Sequence, residues 1–142
     1  MIPGRKGLQM TYTDIQNEVV KRYQIDLCDG TRCKAGDWRR THAHPNARRV
    51  CKWKQANSVE STFTLLHEIG HVENNNSKMR RCEAEYHATA WAIGIMKQYG
   101  ISDKISAKTK RCFQSYILNE RMRGVRRGGA NYPTEEQLTL EW

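Results

Sequence analysis

One stretch decides how this chain folds: residues 65–72, LLHEIGHV. Histidines four residues apart lie one turn apart on the same face of a helix, so both imidazoles can reach one metal ion. The glutamate beside the first histidine can hold and deprotonate a metal-bound water. The stretch therefore predicts a helix with His67 and His71 as metal ligands and Glu68 as the general base.

The residues around this stretch indicate that the helix is buried. At 100° per residue, Val59, Phe63, Leu66 and Gly70 form one apolar stripe, and further apolar side chains widen it. A helix that is apolar nearly all round is buried, so its polar arc should face an internal cleft. Gly70 costs about 1 kcal/mol relative to alanine in a helix interior, which indicates a close neighbour at that point.

Length and composition limit the class of protein. A chain of 142 residues suits a single domain, here residues 1–142. It has no apolar run of about 18 residues, which a membrane span needs, and its basic start lacks the apolar segment of a secretory signal. An odd count of five cysteines favours reduced thiols. These observations predict a cytoplasmic protein with no membrane partner.

Short strands are predicted before the motif helix. A first helix of about three turns begins near Thr13, and residues 25–28 then alternate apolar and polar side chains before Asp29-Gly30, a hairpin signal. Residues 48–55 alternate again, with basic side chains on the open side, as an exposed edge strand does. We expect a small antiparallel sheet whose edge at residues 48–55 pairs with an extended peptide substrate.

Two further helices are predicted after the motif. One runs from about Arg81 to Tyr99 and stops at Gly100, a usual helix end. Another begins at Asp103 or Ser106. The pattern predicts an α+β fold, a compact zincin-like domain with a small sheet, an active-site helix and packed helices.

A catalytic zinc ion needs three protein ligands and one open position for water. One short zinc motif has its third ligand six residues after the second histidine. In this chain that position is Ser77, so the short motif is absent. The next helix offers Glu83, Glu85 and His87. On the helical wheel Glu83 lies far from the buried side, whereas Glu85 or His87 can reach the metal. We expect Glu85, with His87 as the rival, and Thr89 one turn beyond Glu85 can support a ligand histidine.

The two helices together resemble a known family. Residues 67–71, HEIGH, and residues 85–92, EYHATAWA, are similar to the ImmA/IrrE-type metallopeptidases of phages and mobile elements, over about residues 45 to 99. The resemblance implies a gluzincin-like α+β fold and a cytoplasmic protease that often acts on a DNA-binding repressor. His87 and Thr89 depart from the family pattern. The family pattern has a second glutamate where this chain has His87. If that second glutamate is the family's metal ligand, His87 binds the metal in place of Glu85.

The predicted activity is metalloendopeptidase hydrolysis of a specific intracellular protein. Zinc held by His67, His71 and Glu85 would polarise the peptide carbonyl, and Glu68 would move the water proton to the leaving amine. A second donor usually stabilises the oxyanion in such reactions. His42, His44 and Tyr86 are the candidates for that donor.

Charge supports an alternative function of a different class. The chain carries a net charge of +9, and residues 104–127 contain eight basic residues against one acid, Glu120. Such a surface can bind nucleic acid or an acidic protein, or it can simply be solvated. The alternative is a non-catalytic zinc-containing binding protein that uses this basic helix for nucleic acid or an acidic partner.

Overall fold

A computed structural model of the chain describes residues 10–28, 42–45, 48–51, 56–76 and 78–142, with only the backbone of residues 42 and 44. The described elements, in chain order, are α1 (Tyr12–Arg22), β1 (Asp26–Cys28), β2 (His42–His44), β3 (Arg49–Cys51), α2 (Val59–Glu73), α3 (Arg81–Gln98), a 3-10 turn (Ser102–Lys104), α4 (Ala107–Arg126) and a second 3-10 turn (Glu136–Leu138). The mixed helix-and-strand architecture confirms the predicted α+β class.

Helix α2 is the buried helix that its sequence predicts. It begins at Ser58, whose hydroxyl accepts a hydrogen bond from the backbone N–H of Ser61 at 3.1 Å. It ends at Asn74, whose side-chain amide donates to the carbonyl of Gly70 at 2.8 Å. Its buried residues are Val59, Thr62, Phe63, Leu65, Leu66, His67, Ile69, Gly70 and Val72. Because apolar side chains cover most of its circumference, α2 is enclosed by the rest of the domain.

The contact between α2 and α3 explains the glycine in α2. A Cβ atom added at Gly70 would lie 2.5 Å from the carbonyl oxygen of Ala88 and 2.9 Å from its Cα atom. The backbones of the two helices therefore touch at this point, and only a residue without a side chain fits. Helix α3 then ends before Gly100, which has the left-handed φ of +70° that glycine adopts without strain.

The sheet is mixed and has the order β1-β3-β2. Strand β1 runs parallel to β3, with Leu27 opposite Val50, and β2 runs antiparallel to β3, with Ala43 opposite Val50. The prediction of an antiparallel sheet was therefore wrong. The hairpin expected at residues 29–30 lies outside the described residues, and β1 finds its partner in a strand that runs in the same direction.

Strand β3 is the central strand, so the prediction that this segment forms an exposed edge was also wrong. Val50 and Cys51 are fully buried. Arg49, which looked like an edge residue, instead donates through Nε to Asp26 Oδ2 at 3.1 Å across the parallel pair. The basic residue therefore helps to join two strands.

Helix α4 packs mainly on α3, reaches α2 through Phe113, and leaves its other face exposed. Ser106 caps its start by accepting a hydrogen bond from the N–H of Thr109 at 3.1 Å. The ring centroids of Phe113 and Phe63 lie 4.7 Å apart, edge to face, and Ile117 is buried. Trp142 covers Phe63 from the chain end, with ring centroids 5.6 Å apart. The start of α4 and the C-terminal segment therefore close one side of α2.

Two observations bear on the environment of the chain. No helix among the described residues is long and apolar enough to cross a membrane. Cys82 and Cys112 have free thiols, but Cys51 is disulfide-bonded, so the expectation of reduced thiols is wrong at Cys51. Disulfides are rare in the cytosol. The cytoplasmic location stays a prediction.

Candidate metal centre

Helices α2 and α3 bring His67, His71 and Glu85 together into one cluster that could hold a metal ion. Glu85 Oε2 lies 2.6 Å from His71 Nε2 and 3.4 Å from His67 Nε2. The two Nε2 atoms are 3.1 Å apart. Both histidines come from one face of α2, and Glu85 comes from the face of α3 that packs against it. The predicted ligand set therefore meets at one point.

The rival ligands on α3 lie elsewhere. His87 is exposed, and its ring meets the edge of the Tyr86 ring at a centroid distance of 5.2 Å. Glu83 forms an ion pair with Arg80 at 3.7 Å. Together with Asn131, these residues line a shallow cavity near the chain end. The geometry of α3 thus places Glu85 in the cluster, with His87 and Glu83 outside it.

Thr89 determines which nitrogen of His67 can bind a metal. The Thr89 hydroxyl donates its only hydrogen to the backbone carbonyl of Glu85 at 2.8 Å. It can therefore only accept at His67 Nδ1, 2.9 Å away, so Nδ1 carries a proton. In a neutral imidazole the other nitrogen then has a free lone pair. The Nε2 lone pair of His67 is directed into the cluster, and Thr89 plays the supporting role that its spacing suggested.

The cluster brings together three atoms that can each bind a cation. Its members are a carboxylate oxygen, the free lone pair of His67 and one imidazole nitrogen of His71. Although His71 Nε2 lies 2.6 Å away, Glu85 Oε2 is buried and has no partner in hydrogen-bond geometry among the described residues. A buried acceptor without a donor costs about 1–3 kcal/mol. A cation at the centre would satisfy all three atoms at once, and this favours a metal site.

Electrostatics in the cluster favour charged groups. Burial raises the pKa of Glu85, but interactions with His67 and His71 outweigh it and lower that pKa to about 2. Burial lowers the pKa of His71, yet the carboxylates of Glu85 and, more weakly, Glu68 raise it above its ordinary value. The glutamate is therefore ionised at neutral pH, as a metal ligand must be. The negative charge of Glu68, the predicted base, also contributes to the raised pKa of His71.

The structure adds residues that the sequence reasoning did not find. The Phe113 ring lies 5.2 Å from the His67 ring and forms a wall of the cluster. Arg81, one turn before Glu85 on α3, donates to the Tyr116 hydroxyl at 3.0 Å and pairs with Glu120 at 3.2 Å. The four-residue spacing from Arg81 to Glu85 was a signal available in the sequence. Tyr116 gave no such signal, because its position depends on how α4 packs on α3.

The three predicted oxyanion donors are not brought to the cluster by any described contact. His42 and His44 lie in β2, but their side chains are outside the described part of the structure. Tyr86 is half-buried, and its ring lies beside His87 in the shallow cavity. Of these three residues only Tyr86 has a described side chain, so His42 and His44 stay predicted donors.

The chain matches no protein-family model, no curated protein and no solved structure. The resemblance to ImmA/IrrE-type metallopeptidases therefore stays a prediction. The evidence for function comes from the geometry of the cluster itself.

Glu85→Gln is expected to weaken zinc binding by more than about 100-fold, because loss of a mere supporting group around a metal already costs 10- to 100-fold. The matched control is His87→Gln, which changes an exposed residue of the same helix. It should leave the dissociation constant for zinc unchanged in calorimetric titration. Equal weakening in the two variants, or loss in His87→Gln alone, would reject Glu85 as the third ligand.

Proposed function

We propose that this protein is a zinc-dependent metalloendopeptidase that cleaves a protein substrate. One observation carries the proposal: His67, His71 and the unsatisfied Glu85 oxygen converge on one point, and Glu68 directly follows His67 in α2. Two histidines and one glutamate are a usual ligand set for catalytic zinc. In a tetrahedral zinc site such atoms lie about 3.3 Å apart, and the separations of 2.6, 3.1 and 3.4 Å are close to that value.

The roles of the residues follow from their positions. His67, His71 and Glu85 would hold the ion, which when bound activates a water molecule and polarises the peptide carbonyl. Glu68 accepts a proton from that water and gives it to the leaving amine. Overall, a C–O bond forms from the water oxygen, the peptide C–N bond breaks, and the products are a carboxylic acid and an amine. No oxidant or further reactant is required.

Tyr116 is the residue that we infer to be the second oxyanion donor. It follows Phe113, which contacts His67, by three residues on α4, so it lies less than one helical turn further along. Arg81, one turn before Glu85, donates to its hydroxyl. The oxygen therefore accepts from Arg81 and keeps its own hydrogen for donation. Although the ring is 41% exposed, this hydrogen bond fixes its hydroxyl at Arg81, one helical turn before Glu85.

The alternative is a closed, non-catalytic zinc site. A structural site has four protein ligands, whereas a catalytic site has three and an open position. The cluster contains three candidate ligands among the residues that the structure describes. A catalytic function requires that this set of three stays open to water.

Metal removal and restoration test the proposal. The purified chain should bind one zinc ion and cleave members of a proteome-derived peptide library, with the products identified by mass spectrometry. A chelator should abolish cleavage, and one equivalent of zinc should restore it. Full zinc loading without cleavage of either the library or unfolded proteins would support the non-catalytic alternative. Failure to bind zinc would overturn both functions.

A further inference from the structure

The outer face of α4 carries a straight row of exposed side chains. Residues three or four positions apart on a helix are neighbours on one face, and this spacing continues from the first turn of α4 to its last. The row spans 19 residues, that is, 18 steps of 1.5 Å or about 27 Å. Its members are Lys108, Arg111, Ser115, Asn119, Met122 and Arg126. We call these six residues the α4 row.

The α4 row is positive and contains no acid. The single acidic residue of α4 is Glu120, which is buried. Arg81 and Arg123 already neutralise it, at 3.2 Å and 2.7 Å. Lys108, Arg111 and Arg126 form no ion pair with other described residues, so their charges face solvent. A polyanion that approaches α4 would therefore meet three uncompensated cations along one line.

The composition of the α4 row distinguishes among anionic partners. A helix that binds a membrane surface needs a free apolar face. Phe113 and Ile117 of α4 are turned to the core, and of the exposed apolar side chains Tyr116, Met122 and Val125, the first and last lie on opposite sides of the helix. Between the basic ends stand Ser115 and Asn119, whose short side chains hydrogen-bond to phosphates and base edges. The DNA major groove, about 12 Å wide, admits an α-helix. These features favour a nucleic acid duplex.

We propose that the α4 row binds duplex DNA, with Lys108, Arg111 and Arg126 in contact with phosphates. This binding does not depend on the proposed peptidase activity, because the α4 row lies on the face opposite Phe113 and the metal cluster. The chain's net charge of +9 adds long-range attraction for a polyanion. The protein would then carry a nucleic acid surface on the outer face of α4, and a metal centre formed by α2 and α3 next to the inner face of α4.

Fluorescence anisotropy with a labelled 20-base-pair DNA duplex tests this proposal. The wild-type chain should bind with a dissociation constant of about 10⁻⁴–10⁻⁶ M at physiological salt or tighter. The triple variant Lys108→Ala, Arg111→Ala, Arg126→Ala should bind at least about tenfold more weakly. The slope of log K against log salt should fall by about 2.7, or 0.9 for each lost phosphate contact.

A charge-matched variant separates a specific surface from overall charge. Lys21, Lys78 and Lys97 are exposed elsewhere on the chain, and their replacement by alanine also removes three positive charges. This control should keep most of the affinity. Arg111→Lys with Arg126→Lys should retain the salt slope, because phosphate contact requires only the charge. Circular dichroism and thermal melting check that each variant is folded.

Three results would overturn the proposal. One is equal loss of affinity in both triple-alanine variants, which would mean that only net charge matters. Another is no measurable binding of the duplex by the wild-type chain at low salt. The third is binding of an oligoglutamate peptide as tightly as the duplex, with the same dependence on the α4 row, which would assign the surface to acidic proteins.

Discussion

Glu68→Gln is expected to leave zinc bound and to reduce peptide cleavage by roughly 10²- to 10⁴-fold, the usual contribution of a general base. Glutamine has nearly the same shape as glutamate but cannot accept the proton of the attacking water. Glu68 follows His67 directly in α2, so an isosteric change leaves the positions of the three ligand atoms unaltered. Zinc content by elemental analysis and kcat on the peptides found in the library are the two measurements.

Tyr116→Phe tests the proposed oxyanion donor and is compared with Glu68→Gln, which tests the general base. Loss of one oxyanion donor costs about 10²- to 10³-fold in kcat and leaves KM nearly unchanged. Phenylalanine keeps the ring, and the lost hydroxyl is the group that Arg81 holds. Undiminished cleavage by Glu68→Gln would reject the mechanism, because no proton acceptor would then be needed. Loss of zinc from this variant would show that Glu68 is a ligand instead.

The helices could be predicted from the sequence because local signals decide them. Ser58 caps α2 as expected, Gly100 follows the end of α3, and Ser106 caps α4. The repeat of apolar residues in α2 extends over four turns, which is long enough to predict the buried face from the sequence alone. The cap of α1 is Thr11 and not the expected Thr13, a shift of two residues at a helix end.

The grouping of the ligand residues could also be predicted, because helix geometry limits it. Two histidines four apart fix one side of a site, and the third ligand must come from the buried side of the next helix. Glu85 satisfies that condition, whereas His87 is exposed. Tyr116 and Arg81 could not be found in this way. Their contact joins two helices across 35 residues, and no local pattern encodes that distance.

The prediction of an antiparallel sheet failed for a physical reason. Each strand contains only three residues, so alternation gives almost no information on the direction of pairing. The side-chain pair between Asp26 and Arg49 stabilises a parallel neighbour. In the sequence, Arg49 resembled the basic residues that are common on exposed edge strands. The contact of a basic residue across strands depends on the tertiary arrangement, which local patterns do not contain.

Gly70→Ala is expected to lower the free energy of unfolding by about 1–3 kcal/mol, the usual cost of overpacking. The new Cβ would lie 2.5 Å from the Ala88 carbonyl oxygen, a backbone atom that cannot turn aside. Helices α2 and α3 would have to separate. Gly70 precedes His71 directly, and Ala88 follows Glu85 by three residues, so the same movement would pull the ligand atoms apart. Zinc affinity should therefore fall together with stability.

Gly94→Ala is the control that isolates this contact. Gly94 also lies inside a helix, but a Cβ atom there would meet nothing within 4 Å. Helix propensity should then raise the free energy of unfolding by about 0.5–1 kcal/mol and leave zinc affinity unchanged. Urea unfolding and zinc titration of both variants measure the two effects. If Gly70→Ala behaved like Gly94→Ala, the close approach of α2 and α3 could not be what holds His71 against Glu85.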